Sequence, residues 1–351
     1  MLLALGALAL LTGLYGGLFR LGWSFPYGDL LASLHGPLLL SGLFGTLISL
    51  ERAVALGRDW SYAAPLLSGL GTVALLMGAP FALGAGAYVL AAAALIATSG
   101  SIMVRQPEMF MAALVVGALA WLTGNLLWLM GSAVPDAAGW WLAFLILTVA
   151  GERLELSRLM VRRRGSEVLF LLAGGLLITG ACYGILSDRG AILFGLALIL
   201  MTGWLFRHDI ARRNIHQKGQ TRFFAACMIS GYIWLGLAGV GLIGYPPGNS
   251  AFGYDLALHA VLIGFVLSMV FGHALIILPA IVRLRIVYRP VLYVPLATLH
   301  VSLVLRGLGD VLEWQAGRQW SGIVTLLALV GFMLSVATAA KRRREQSDAQ
   351  T

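Results

Sequence analysis

The chain has 351 residues, of which 60% are hydrophobic and 11% charged, against roughly 25% charged in an average soluble domain. With a mean hydropathy of +0.89, that composition excludes a water-soluble fold, a disordered chain and a nucleic-acid binder. It also excludes an outer-membrane barrel, whose strands alternate polar with apolar residues. The net charge of +9 is explained by topology instead.

Apolar runs of about 20 residues between short polar segments predict an all-α, polytopic membrane bundle of about twelve transmembrane helices. In chain order they fall at about 2–19, 31–50, 61–78, 82–103, 109–131, 139–160, 167–186, 190–206, 223–244, 252–281, 291–308 and 320–340. The first run lacks a basic leader region and a small-residue cleavage site before Arg20, which predicts a retained helix rather than a signal peptide. Residues 1–340 are expected to form one transmembrane domain, and 341–351 a polar tail.

The cations orient it. Of 24 Lys and Arg, three (Arg20, Arg189, Arg318) fall in the segments on one side and three (Arg52, Arg153, Arg306) within or at the ends of helices. The other eighteen, among them Arg105, Arg158, Arg162, Arg163, Arg212, Arg283, Arg343 and Arg344, fall on the opposite side. That asymmetry predicts both termini in the cytoplasm of a bacterial-type inner membrane, with some attraction to anionic lipid.

Four of the six histidines, His35, His259, His273 and His300, lie within the spans, where ionisable side chains are costly and usually functional. His259 and His273 are 14 residues apart on the tenth span, close to four turns, so they leave one face about 21 Å apart. His35 matches the depth of His259, and His300 that of His273. Two pairs result, His35 with His259 and His273 with His300. Paired neutral imidazoles across a bundle are axial ligands for six-coordinate haem, and each histidine alternatively hydrogen-bonds a neighbouring helix. Gly36, Gly42, Gly264 and Gly272 offer faces where a porphyrin would meet backbone. His208 and His216 read as solvated loop residues.

The segments HGPLLLSGLFGTLISLERAVAL and LHAVLIGFVLSMVFGHALIILP resemble the haem–copper membrane proteins of the NnrS type and, more distantly, the catalytic subunit of haem-copper oxidases. The resemblance implies haem b, one or two per chain, with low-spin ligation carried over to His35 and His259. A shared pattern falls on His259, Ala260, Gly264, Met269, Gly272 and His273. It implies a role in electron transfer or nitric oxide handling. The sixth and seventh spans lack the histidines that hold copper in oxidases, and Ala257 stands where the oxidase pattern has a second histidine on the tenth helix. Copper is therefore possible but unsupported by those helices.

Other polar groups cluster near the inner ends. Glu51 and Arg52 close the second span, while Glu152, Arg153, Glu155 and Arg158 lie in the sixth, where Glu155 and Arg158 share a face. They read as mutually neutralising ion pairs or as a proton relay through Glu51, Glu152 and Glu155. LISLERAVAL and TVAGERLELS echo each other weakly as an internal repeat. Arg306 is suited to a haem propionate, and Asp255 lies one turn before His259. The expected function is a haem-binding membrane protein, with membrane lipid and a quinol or other redox donor as partners. The alternatives are a proton-coupled secondary transporter and a noncatalytic assembly or stress-protection factor. A transporter would show helices interrupted at matching positions in two halves.

Overall fold

The computed structural model describes residues 1–157, 164–282 and 284–342. Arg158, Arg162, Arg163, Arg283, Arg343, Arg344 and most of the expected tail lie outside the described residues, and so does the expected Glu155–Arg158 pairing.

The chain is a multi-pass helical membrane protein. Its helices are α1 (Leu2–Arg20), α2 (Gly28–Leu56), α3 (Ala63–Leu76), α4 (Phe81–Arg105), α5 (Met109–Leu129), α6 (Val134–Ser157), α7 (Arg164–Tyr183) and α8 (Asp188–His208). After a one-turn helix at Ala211–Asn214 come α9 (Gly219–Gly244), α10 (251–282), α11 (Tyr293–Val311) and α12 (Gln315–Ala339). Among the described residues eleven helices are long and apolar enough to cross a membrane. The exception is α3. Its 14 residues span about 21 Å, short of a hydrocarbon core of about 30 Å, and the 3-10 turn Asp59–Tyr62 precedes it. The third expected span, 61–78, is therefore a short helix. A three-residue antiparallel ladder pairs Leu284–Ile286 with Ala340–Arg342.

Two of the long helices are interrupted in the same way. In α2 a π-helical segment, Leu38–Gly45, follows His35; in α10 another, Ala260–Leu267, follows His259 directly. Pro37 accounts for the first, because it lacks an N–H and its ring conflicts with the carbonyl four residues back. In α10 Val261 stands at the matching offset, and nothing in the sequence explains the widened turn.

Backbone contacts divide the molecule into two units, one of Met1–Asp209 with Gly236–Leu258, the other of Ile210–Leu235 with His259–Thr351. In the first unit α6 is the most enclosed helix, 72% of its apolar window being buried against 22% for α1. It supplies Trp141, Phe144 and Ile146 to the core. The buried stripe of α1 is Gly6, Ala9, Gly13 and Gly16, small residues at helical spacing that let backbones approach where lipid offers no hydrophobic drive. At the crossing of α8 with the end of α9, a Cβ on Gly195 would stand 2.8 Å from the Gly239 carbonyl and one on Gly239 2.6 Å from the Gly195 carbonyl. In the second unit Phe271 of α10 stacks on Phe332 of α12 at 3.9 Å. Thr325 of α12 donates to Ser302 of α11 at 2.9 Å.

Candidate functional site

His35 sits one turn above the π segment of α2, half-buried against α1. Its Nδ1 lies 2.7 Å from the carbonyl of Gly13. A carbonyl only accepts, so Nδ1 carries the proton and donates; in the neutral imidazole the lone pair is then on Nε2. The contact is close because a Cβ on Gly17 would stand 2.6 Å from His35 Cε1. Sequence depth alone did not reveal α1 as the neighbour of His35.

In the second unit, His273 Nδ1 lies 2.7 Å from the carbonyl of Met269, one turn earlier on α10, and its ring meets Phe224 edge-on at 5.0 Å. The same reasoning puts its proton on Nδ1 and its lone pair on Nε2. His300 is the opposite case. Trp234 Nε1–H, which can only donate, is 2.9 Å from His300 Nδ1, and the rings lie 17° from parallel at 6.4 Å. Nδ1 is therefore the acceptor, the ring is neutral, and the proton resides on Nε2. His300 Nε2 is buried and has no hydrogen-bond partner among the described residues.

These tautomers test whether the histidines suit haem. An axial imidazole presents an Nε2 lone pair and anchors its Nδ1–H on a carbonyl or carboxylate. His35 and His273 meet that requirement. His300 does not, since it offers a proton where a metal needs electrons; the inner pairing of His273 with His300 asks of Trp234–His300 a bond reversal that an indole cannot make. His35 belongs to one unit and His259, which opens the second π segment, to the other.

The glycine faces expected to receive a porphyrin are filled by protein. A Cβ on Gly36 would meet Val134 at 3.0 Å, one on Gly42 would meet Thr72 Oγ1 at 2.6 Å, and one on Gly272 would meet Met228 at 2.9 Å. The Gly264 face is covered by the Trp234 side chain. Glycine here serves helix packing. Arg306 is buried (8% exposed), and the neighbouring Asp310 pairs with Arg318 Nε at 2.7 Å.

The two Glu-Arg dipeptides do meet. Arg52 of α2 lies 2.8 Å from Glu51 and 3.5 Å from Glu152 of α6, while Arg153 faces Asp209 at 3.9 Å with both side chains almost fully buried. Glu155 is exposed. Asp209, next to His208 in the segment that read as solvated loop, is a buried partner that the sequence did not reveal. Its place just after α8, among arginines, hid its burial.

A polar cluster around the first π segment was also missed. Ser41 donates to Asn125 Oδ1 at 2.7 Å, and Trp141 Nε1–H donates to the same oxygen at 3.0 Å. Trp121 Nε1–H donates to Ser41 Oγ at 3.0 Å, Ser68 donates to the Ser41 carbonyl at 2.7 Å, and Asn125 Nδ2 donates to the Tyr88 carbonyl at 3.1 Å. The available signal was Asn125 itself, an amide within an apolar run.

Among the described residues no three of His, Cys, Asp or Glu gather as a metal-holding group; a bis-imidazole haem needs only two ligands. A family model described as a domain of unknown function, DUF8744, matches residues 1–341. No curated protein and no solved structure matches the chain.

Proposed function

The chain belongs to the DUF8744 family, and from that premise we propose that it is a haem-binding protein of a bacterial-type inner membrane, used in electron transfer or nitric oxide handling. The observation that carries this reading is the shared anchoring of His35 and His273, each with Nδ1 held 2.7 Å from a main-chain carbonyl. That arrangement turns Nε2 into a ligand atom and fixes the ring against rotation. Bound haem b would supply one-electron chemistry or a site for a diatomic gas. His259 remains a candidate ligand through its place directly ahead of the second π segment, since π turns concentrate at functional sites. The absorption spectrum of the detergent-solubilised full chain tests the reading. A Soret band with sharp α and β bands on reduction, diminished in His35→Ala or His273→Ala, is the expected result; a colourless protein made with haem supplied in excess overturns it.

A second reading, a proton-coupled secondary transporter, is favoured by the two π interruptions, Leu38–Gly45 in one unit and Ala260–Leu267 in the other. Interrupted helices in two parts of a chain are a transporter feature. Glu152, with Arg52 as its countercharge at 3.5 Å, would then be the group that takes up and releases a proton, within the relay expected of Glu51, Glu152 and Glu155. Proton movement into proteoliposomes, lost in Glu152→Gln, distinguishes it from haem chemistry.

A further inference from the structure

Ser268 begins the α-helical part of α10 just after its π segment. It is fully buried, and its hydroxyl has no hydrogen-bond partner among the described residues. Serines and threonines elsewhere in these helices return a bond to the carbonyl four residues back, as Thr98, Thr148, Thr298 and Thr325 do. The π turn ahead of Ser268 shifts the register of those carbonyls, and the hydroxyl is left open.

Another buried polar atom of this unit without a hydrogen-bond partner among the described residues is His300 Nε2, and helix spacing puts it near the level of Ser268. A Cβ on Gly264 would overlap Trp234 and stand 3.0 Å from Leu303 Cδ1, so α10 and α11 touch where Gly264 faces Leu303. One turn along α10 from Gly264 is Ser268. On α11, which runs the other way, the same step from Leu303 reaches Leu299 and His300. Trp234, lying over Gly264, bonds His300 from the α9 side. Its indole holds His300 as an Nε2–H donor, and Ser268 adds an O–H.

We propose that Ser268 and His300 form a two-donor site for the carbonyl oxygen of a neutral, lipid-soluble ligand of the quinone class. Two neutral donors match a neutral acceptor better than an anion, which would be stranded in hydrocarbon without a countercharge. Nearby Leu299 and Leu303 are buried and apolar, and Trp234 provides an aromatic edge. His300 lies about 10 Å along the 19-residue α11 from its start, nearer the middle of the helix than the interfacial depth of lipid ester carbonyls. The outward neighbours Val301, Val304 and Ile233 are exposed on the apolar surface of the unit, so the proposed site lies next to the surface that faces lipid.

A decyl-substituted benzoquinone, 13C-labelled at its carbonyls, is titrated into the detergent-solubilised full chain by calorimetry, with the carbonyl stretch followed in the infrared. The expected result is one bound equivalent with a lowered stretch, and affinity weakened tenfold or more in Ser268→Ala and His300→Ala. His300→Asn, which keeps an N–H donor, should recover part of the loss. Ser268→Ala removes a single oxygen that bonds nothing in the protein, so it carries the test if His300→Ala misfolds. An unshifted stretch, or an affinity within twofold of the unmodified chain in Ser268→Ala, overturns the site and leaves ordered water or nonspecific partition. Adding phosphatidylglycerol tests the other carbonyl source: an ester stretch that shifts and reverts in Ser268→Ala assigns the donors to lipid and overturns the quinone class. The site does not rest on haem. A colourless protein that binds the quinone in this way ends the haem reading and keeps this one.

Discussion

The two π segments use one backbone device for opposite ends. Around Leu38–Gly45 the polar groups close on one another: Ser41 is bonded by Asn125, Trp121 and, through its carbonyl, Ser68. Beside Ala260–Leu267 the indole of Trp234 is committed to His300 Nδ1, while Ser268 Oγ and His300 Nε2 have no hydrogen-bond partner among the described residues. A widened turn exposes main-chain and side-chain polar groups to a medium that cannot solvate them. A closed set of bonds then acts as interhelical adhesive, and an open set is a place for a ligand.

The largest effect that sharpens this contrast is expected at Asn125. Asn125→Leu removes the acceptor of Ser41 and Trp141 and the donor to Tyr88. At about 0.6–1.7 kcal/mol for each interhelical bond in a membrane, the loss should total roughly 2–5 kcal/mol, read as a lower unfolding midpoint in a denaturing-detergent titration. Quinone affinity should stay the same. A midpoint unchanged within error would make the first cluster as open as the second.

Trp234→Phe keeps an aromatic ring over Gly264 and removes the donor to His300. The expected cost is about 0.5–1.5 kcal/mol, and the diagnostic change is in the imidazole. Its 15N resonances should report protonation at Nε2 alone in the unmodified chain and a mixture of tautomers in the variant. Protonation at Nδ1 in the unmodified protein would remove the donor on which the second region depends.

The smallest effect belongs to Ser268→Ala. With no protein hydrogen bond to lose, its stability in ligand-free detergent should lie within about 0.5 kcal/mol of the unmodified chain or above it, because a buried hydroxyl without a partner is itself a cost. Ser41→Ala, in contrast, should lose about 1–2 kcal/mol. Equal losses at the two serines would erase the distinction between the regions.

Much of the architecture was legible because a bilayer demands it. Apolar runs long enough to span appear in sequence as themselves, so eleven long helices were placed with ends within about six residues, and the histidines and Glu-Arg dipeptides were marked by their rarity in such runs. The failure at α3 was one of length, since Ser61 and Tyr62 read as part of the run but belong to a 3-10 turn. Neighbour identity was not legible. Helix periodicity gives a face and a depth, and nothing in it names α1 as the acceptor for His35, α6 as the partner of Arg52, or Asp209 as the partner of Arg153.

The sequence by itself determined that this is a multi-pass helical membrane protein, because the cost of unsatisfied backbone in hydrocarbon leaves continuous apolar helices as the solution for such a composition. It also determined which side chains are chemically eligible. Only the tertiary structure decided what they are eligible for. The same imidazole becomes a lone-pair donor when a carbonyl holds its Nδ1, as in His35 and His273, and a proton donor when an indole does, as in His300. For His35 and His300 that choice depends on which group of another helix stands about 3 Å away, where small residues such as Gly17 and Gly264 let the helices close; for His273 it is a carbonyl of its own helix.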